Sequence, residues 1–459
     1  VAALSLIAIL VGLLFVGGTE PAPAHAEDSV AAEAARCLPN DPHKLDDFLT
    51  VIGSDSPPRG PQTISPGLIV ELLPAKGVLR QPPRAISPPP DEGGTADPAP
   101  TEPAVDDAPF RQMQFTVFNS RTLNQFLVTL NQDMLNDIRA CHEDKGWTSA
   151  TDGFATLEDA ETLGNLFLPI VLREGAQPFA DGSGVSVIDV VSPLGWSNGV
   201  DTRIVRTPTT VWPWRTISQF TYGNNSDSGC TGTLIGPRHL VTAAHCINEK
   251  GTNNWYTVRV TPARNGINVR PYNDSVISPN PAPGTEAWYF TPAAWRNPAT
   301  ATPTQWDWGL IVIPNRLGDQ TGWMGYVARP GSALKQVSNL NRGYPQCGTD
   351  RGNAPAGCQI ARMYGDTANC NIGDFYNPGP DGWNRRFSVS CDLSAGHSGS
   401  PVYHYFFDSQ LAKWVPVVTA VVITESCTTC GPSDSYPNRA RRITPGDLGT
   451  ISWLRETFP

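Results

Sequence analysis

The chain has 459 residues, more than one compact domain usually needs, and a formal net charge of −10. That balance excludes a protein whose main partner is nucleic acid, which would present a basic face. Its 10 cysteines, read together with the apolar leader, point to disulfides and an oxidising compartment.

Residues 1–26 read as a secretory signal peptide. Val1 to Gly18 is almost purely apolar, and the small residues that follow end in Ala24-His25-Ala26, an A-x-A cleavage pattern. The alternative, a membrane anchor, is weakened by Gly12, Gly17 and Gly18. No later stretch is long and apolar enough to span a bilayer. A secreted, extracellular protein without stable membrane association after signal removal is expected. Asn224-Asn225-Ser226 and Asn273-Asp274-Ser275 are glycosylation sequons.

Residues 27–108 read as a Pro-rich extended region, with a linker over about 54–108, because runs such as Ser87-Pro88-Pro89-Pro90 cannot hold helix or central strand. Residues 109–195 read as a partly helical propeptide or accessory region. Leu123, Phe126, Leu127, Leu130, Met134, Ile138 and Cys141 recur at spacings of three and four, which predicts an amphipathic helix capped by Asn119 or Ser120. Cys37 and Cys141 are the only cysteines before residue 230, which makes them candidates to pair across the linker.

From 196 to 459 short β-rich runs alternate with Gly, Pro and Asn turns: Arg215–Tyr222, Gly232–Ile235, His239–Thr242, Tyr256–Thr261, Gly309–Pro314, Phe387–Ser390, Val402–Phe406 and Val415–Ile423. This pattern predicts an all-β region with room for two small barrels. Thr444-Pro445-Gly446-Asp447 opens a predicted terminal helix.

Three segments of this region carry chemistry. They are Thr242-Ala243-Ala244-His245-Cys246, Trp306-Asp307-Trp308-Gly309 and Gly396-His397-Ser398-Gly399-Ser400-Pro401. A serine hydroxyl is a weak nucleophile and needs a base, which in turn needs an orienting group. His245, Asp307 and Ser398 offer one candidate for each role. Each residue alone has a plainer reading: a structural histidine beside a disulfide, a strand-edge aspartate, a turn serine. The three motifs in this order outweigh those readings. The nucleophile elbow of α/β-hydrolases does not fit, because Ser400 replaces the last glycine of Gly-x-Ser-x-Gly and only His404 follows Ser398. His397 is read as a loop residue making local hydrogen bonds. Cys427-Thr428-Thr429-Cys430 lacks a second CxxC and is read as disulfide rather than zinc site. No metal and no cofactor are expected.

The segments from about Gly199 to Phe458 resemble the secreted chymotrypsin-like serine proteases, most closely the V8-like (glutamyl endopeptidase) branch. The resemblance is carried by Gly199–Arg203 with Trp214-Arg215-Thr216-Ile217, by Cys230–Pro237 leading into Leu240–Cys246, by Gly-x-Ser-Gly-Ser-Pro around Ser398, and by Asn438–Ile443. It implies a fold of two six-stranded antiparallel β-barrels with a C-terminal helix, preceded by a largely helical or disordered pro-region. It implies a triad in which Ser398 attacks, His245 moves the proton and Asp307 orients the imidazole. The oxyanion donors would be the N–H groups of Gly396 and Ser398.

A disulfide Cys230–Cys246 is expected to tie the strand carrying Gly232 to the turn carrying His245. For the remaining cysteines, nearest-neighbour pairing (347–358, 370–391, 427–430) and an exchange joining Cys391 to Cys427 both stay open. Candidate pocket residues are Asp392, Leu393, Val422, Ile423 and Thr424. Glutamyl endopeptidases use a histidine in the pocket strand, and Ala420–Glu425 contains none. Asp392 stands six residues before Ser398, where trypsin keeps its cation-binding aspartate, so the preferred residue before the cut stays open. The expected product is a monomeric endopeptidase acting on protein or peptide substrates. It would be made as a zymogen cut between about 180 and 204, before Val200 or after Arg203, by an activating protease. An inactive binding module and a serine esterase are the alternatives.

Overall fold

A computed structural model describes residues 42–82, 113–131, 134–135, 197 and 200–458, apart from 224–228, 301, 349–353, 380–381, 409–412, 425–435 and 437. All of these fall within one compact unit, Cys37–Pro459. The signal peptide, the Cys37–Cys141 pair, the Asn224 sequon and the Cys427-Cys430 motif lie outside the described residues.

The upstream strands are β1 (Pro61–Ser65), β2 (Leu68–Leu72), β3 (Val78–Arg80), β4 (Met113–Asn119) and β5 (Gln125–Leu130). Next come β6 (Arg203–Val205), β7 (Ile217–Thr221), β8 (Cys230–Leu234), β9 (His239–Thr242), β10 (Asn254–Tyr256), β11 (Arg259–Pro262), β12 (Ser275–Val276), β13 (Trp288–Pro292) and β14 (Gly309–Val312). The last group is β15 (Gly325–Tyr326), β16 (Leu340–Asn341), β17 (Tyr364–Asp366), β18 (Ile372–Pro378), β19 (Asn384–Val389), β20 (Pro401–Asp408), β21 (Lys413–Thr424) and β22 (Asn438–Arg442).

One sheet runs β1-β2-β5-β4-β13-β14-β9-β8-β7-β11-β12, a second large sheet runs β16-β20-β21-β22-β19-β18 with β15 beside β21, and β10-β3 and β17-β6 form two-stranded sheets. The all-β reading of the region beyond 196 therefore holds. Predicted and observed strands agree most closely at His239–Thr242, where the bounds coincide. The strands of the first sheet close around a core that includes Leu234, Leu240, Val260, Leu310 and Ile311. A second apolar cluster, with Phe387, Val389, Val402, Ala420 and Val422, fills the other sheet.

The chain closes with the expected helix, Pro445–Thr457. Thr444 and Asp447 form a reciprocal capping box there, with the Thr444 N–H donating to Asp447 Oδ2 over 2.9 Å.

The upstream region differs from expectation. The helix predicted through Leu123–Leu130 is strand β5, and residues 61–80 of the expected linker form β1, β2 and β3. The reason lies in burial. β5 sits between β2 and β4, and five of its six residues are buried. Such a strand has apolar residues on both faces and shows no period-two alternation to compete with a fortuitous three-four spacing. Leu123 itself has φ of 58°, which no helix tolerates. A short helix, Pro42–Gly53, precedes these strands.

Candidate active site

β9 delivers His245. After Thr242 the chain turns through a single 3-10 turn, Ala244–Cys246. β14 pairs with β9 so that Gly309 lies opposite Thr242. Asp307, two residues before Gly309, and His245, three residues after Thr242, therefore meet at one end of the same strand pair. A side chain at 309 would meet Ile247 at 2.6 Å, which explains the glycine at this close approach.

Both oxygens of Asp307 are committed to His245. Oδ1 accepts the His245 backbone N–H at 2.9 Å, and Oδ2 faces Nδ1 at 2.7 Å. Asp307 is fully buried and His245 nearly so. A proton on Nδ1 that bonds the carboxylate leaves the Nε2 lone pair outward, and Nε2 has no hydrogen-bond partner. That is the orientation a general base requires.

Ser398 is tied to the same neighbourhood from the other sheet. Its carbonyl oxygen accepts the Thr231 N–H at 2.8 Å and lies 3.5 Å from Cys246 Sγ. Cys246 is disulfide-bonded to Cys230, the residue before Thr231. One crosslink thus holds the turn of His245, the strand of Thr231 and the loop of Ser398 together. The expected Cys230–Cys246 pair is present, as are Cys347–Cys358 and Cys370–Cys391. Pairing of Cys391 with Cys370 removes the exchange that would have joined Cys391 to Cys427.

The loop of Ser398 is shaped by glycine. Gly396 has φ of +96°, and a Cβ there would meet the Tyr344 carbonyl oxygen at 2.4 Å. Gly399 has φ of +81°, and a Cβ there would sit 2.1 Å from Thr242 Oγ1. Neither position accommodates a larger residue. The loop is pinned by Thr231 Oγ1 donating to the Gly396 carbonyl at 2.9 Å, by Gly399 N–H donating to Val422 at 2.7 Å, and by Ser400 N–H donating to His397 at 2.7 Å. Among the described residues, the N–H groups of Gly396 and Ser398 have no protein acceptor. Such free, fixed donors are what a developing oxyanion needs. Thr231 was not singled out from sequence; its role depends on contacts across more than 160 residues of chain.

His397 is buried, with Nδ1 against the Ser394 carbonyl at 3.3 Å, the local hydrogen bonding expected of it. Burial, with the Arg203 guanidinium nearby, holds its pKa well below the usual histidine range.

The oxygens of Asp392 are taken up by backbone and hydroxyl donors. The residue is 3% exposed. Oδ1 accepts the Ser197 N–H at 2.7 Å, and Oδ2 accepts the Thr202 N–H at 2.6 Å and its hydroxyl at 2.8 Å. Its own N–H donates to Asp366 Oδ2 at 3.0 Å. Burial, and then the charge of Asp392, pushes Asp366 up to about 7. Burial also raises Asp392, against the donors from Thr202 and Ser197. Arg203 forks onto Asp201 and donates to Ser394 Oγ at 2.6 Å. Ser197, Thr202 and Arg203 are thereby moored to the segment that leads into Ser398. Leu393, Val422 and Ile423 are wholly buried, while Thr424 Oγ1 is buried without a partner.

Among the described residues, two clusters each bring three potential metal ligands together: Cys230, His245 and Cys246, and Asp366, Cys370 and Cys391. In both, the sulfurs are locked in disulfides and supply no thiolate.

Residues 203–288 match the family model of Trypsin. The chain is 31% identical over 206 residues to the glutamyl endopeptidase of Bacillus licheniformis, covering 45% of this chain and 54% of that protein. It is 28% identical over 214 residues to an extracellular metalloprotease of Bacillus subtilis, covering 46% and 58%. The chain thus spans little more than half the length of the curated relatives it matches. Over 58 residues it is 41% identical to bovine chymotrypsin-C, 13% of this chain and 20% of that one. Among solved structures, a Glu endopeptidase in complex with MPD aligns over 56% of this chain and 98% of its own, with 18% identity and a TM-score of 0.40. Over residues 203–288 the chain thus carries a trypsin-like family match within an all-β fold, and it is similar to the chymotrypsin-like serine proteases of the V8-like, glutamyl endopeptidase branch.

Proposed function

We propose that the protein is a secreted serine endopeptidase that hydrolyses peptide bonds through His245, Asp307 and Ser398. The observation that carries this reading is the two-point bond between Asp307 and His245, which leaves Nε2 without a partner, while the Ser398 carbonyl lies 3.5 Å from Sγ of the next residue, Cys246. In this reading His245 Nε2 takes the Ser398 proton as Oγ attacks the scissile carbonyl. Asp307 holds the tautomer and stabilises the imidazolium. The Gly396 and Ser398 N–H groups receive the oxyanion, where one such donor typically contributes about 3–4 kcal/mol to the transition state. His245 then protonates the leaving amine, and water attacks the acyl-enzyme by the same route. The substrates are proteins or peptides. Among the described residues no helix is long and apolar enough to cross a membrane, which accords with export.

Asp392 in this reading anchors Ser197 and Thr202 instead of receiving a substrate cation, since three donors already occupy its oxygens. The pocket strand supplies no histidine for a glutamate either. Of the two candidate activation cuts, the one before Val200 fits better. A cut after Arg203 would sever a residue whose side chain is buried and held by Asp201 and Ser394.

Fluorophosphonate labelling of the secreted protein tests the reading. Labelling confined to Ser398 supports it, and no labelling of folded protein points to a binding module of the same fold. Parallel assays on peptide and ester libraries separate an endopeptidase from an esterase and give the preferred residue before the cut.

A further inference from the structure

The described upstream strands β1, β2, β4 and β5 complete the sheet that carries the other two triad residues. β4 pairs with β13 over five residues, from Trp288 opposite Asn119 to Pro292 opposite Phe115. β13 pairs with β14 and β14 with β9. Asp307 enters β14, and His245 leaves β9. The strand next to the Asp307 strand therefore has an upstream strand as its outer neighbour.

A second seam supports His245 from behind. β3 runs parallel to β10, and the Val78 N–H donates to the Asn253 carbonyl at 2.8 Å while Thr257 N–H donates to Arg80 at 3.0 Å. Gln125, fully buried, donates to Asn253 Oδ1 at 3.1 Å and accepts the Trp255 indole N–H at 2.8 Å. Phe118 stacks on Trp255 at 5.0 Å with planes 5° apart. Trp255 bridges to Asn248, and the Tyr256 N–H donates to Ile247, one residue past Cys246. A third seam joins Phe48 and Phe115 to Trp453 of the C-terminal helix at 5.1 and 5.7 Å.

Phe48, Phe115, Phe118 and Gln125 are all buried by these contacts. Removing the upstream residues would expose the edge of β13, ring faces of Trp255 and Trp453, and the Trp255 indole N–H. An exposed strand edge and an orphaned buried donor are both costly.

We propose that the upstream residues 42–82 and 113–131 are a permanent part of the catalytic fold. If an activating cut falls between 136 and 202, the upstream chain stays bound and the active enzyme has two chains. Those residues act as a positioning scaffold for His245 and Asp307, not as a shed propeptide. The proposal rests on the endopeptidase reading only for its activity arm; retention is read without it.

The test uses the full secreted chain carrying a sequence-specific protease site inserted between Ala150 and Thr151. After complete nicking, the two fragments are expected to co-elute in gel filtration and to separate only in denaturant, with activity unchanged. Native mass spectrometry of naturally processed material should likewise show either both fragments in one particle or an uncut chain that keeps residues 42–131. Phe118→Ala and, as a milder variant, Gln125→Ala should speed fragment dissociation from the nicked protein by ~10-fold or more, because interface changes act mainly on off-rate. Activity should decline as the fragments part. Fragments that separate in native buffer while the downstream part keeps full activity would overturn the proposal. So would natural active enzyme that lacks residues 42–131. Co-elution of fragments that never label with fluorophosphonate would leave retention standing and sink the endopeptidase reading alone.

Discussion

At the residue scale the site depends on a few side chains that have only one workable neighbour. Ser398→Ala should abolish hydrolysis with folding and export intact, a loss of about 10⁴-fold or more in turnover as for other triads. Near-normal rates from this variant would remove Ser398 from the mechanism. Asp307→Asn keeps one acceptor for the His245 N–H but presents an amide N–H or a weaker acceptor to Nδ1. It should fold and lose a comparable factor; steady-state kinetics on purified variant checks this. Two buried ionisable groups give opposite pH effects. His404 lies in β20 with neither ring nitrogen bonded, and burial keeps its pKa well below the usual range. The unfolded chain binds a proton there below about 6.5 and the folded chain does not, so stability is lost as pH falls through that value. His404→Leu should therefore gain melting temperature relative to the parent, most of all near pH 5; a gap that does not widen on acidification contradicts this. Asp366, pushed up to about 7, works the other way. The folded state keeps its proton where the unfolded state has lost it, so its contribution falls as pH rises from about 4 to about 7. The advantage of Asp366→Asn over the parent should grow across that window in thermal melts.

At the element scale, the register of β9 against β14 does most of the work, since it alone brings Asp307 to His245. The Cys230–Cys246 crosslink then joins that pair to the Ser398 loop. It closes a loop with a sequence separation of 16, worth about 3 kcal/mol in the chain-entropy model. Replacing both cysteines by alanine should lower stability by about that much in denaturant titration and lower activity further, because Thr231 and Ser398 lose their shared anchor. An unchanged midpoint would show that the sheets hold the site without it. The C-terminal helix depends on its cap. Thr444→Ala breaks the box with Asp447 and should cost about 1 kcal/mol, as N-cap losses typically do. Legibility at this scale was uneven. The strand at His239–Thr242 and the cap at Thr444 were readable because their signals are local. β5 was not, because its burial on both faces comes from β2 and β4.

At the scale of the whole molecule, the strands that bring His245 and Asp307 together share one sheet with upstream strands. The first sheet is eleven strands long, and four of them come from residues before 131. A truncated chain beginning at Val200 should consequently express poorly or melt well below the full chain, by differential scanning fluorimetry. Equal melting temperatures would show that the β13 edge and Trp255 tolerate exposure. Short local motifs showed, from sequence alone, the all-β class, the candidate residues His245, Asp307 and Ser398, the glycines around Ser398, the Cys230–Cys246 pair and the helix cap. These are legible because a backbone turn, a cap or a reactive side chain places its chemical demands on adjacent positions. Tertiary structure alone decided that Asp392 binds Ser197 and Thr202, that Thr231 pins Gly396, that Asp366 sits beside a second buried carboxylate, and that β1 to β5 form upstream of residue 131. Each of those depends on a partner tens to nearly two hundred residues away, and no local pattern records which distant edge, donor or charge the folded chain will bring alongside.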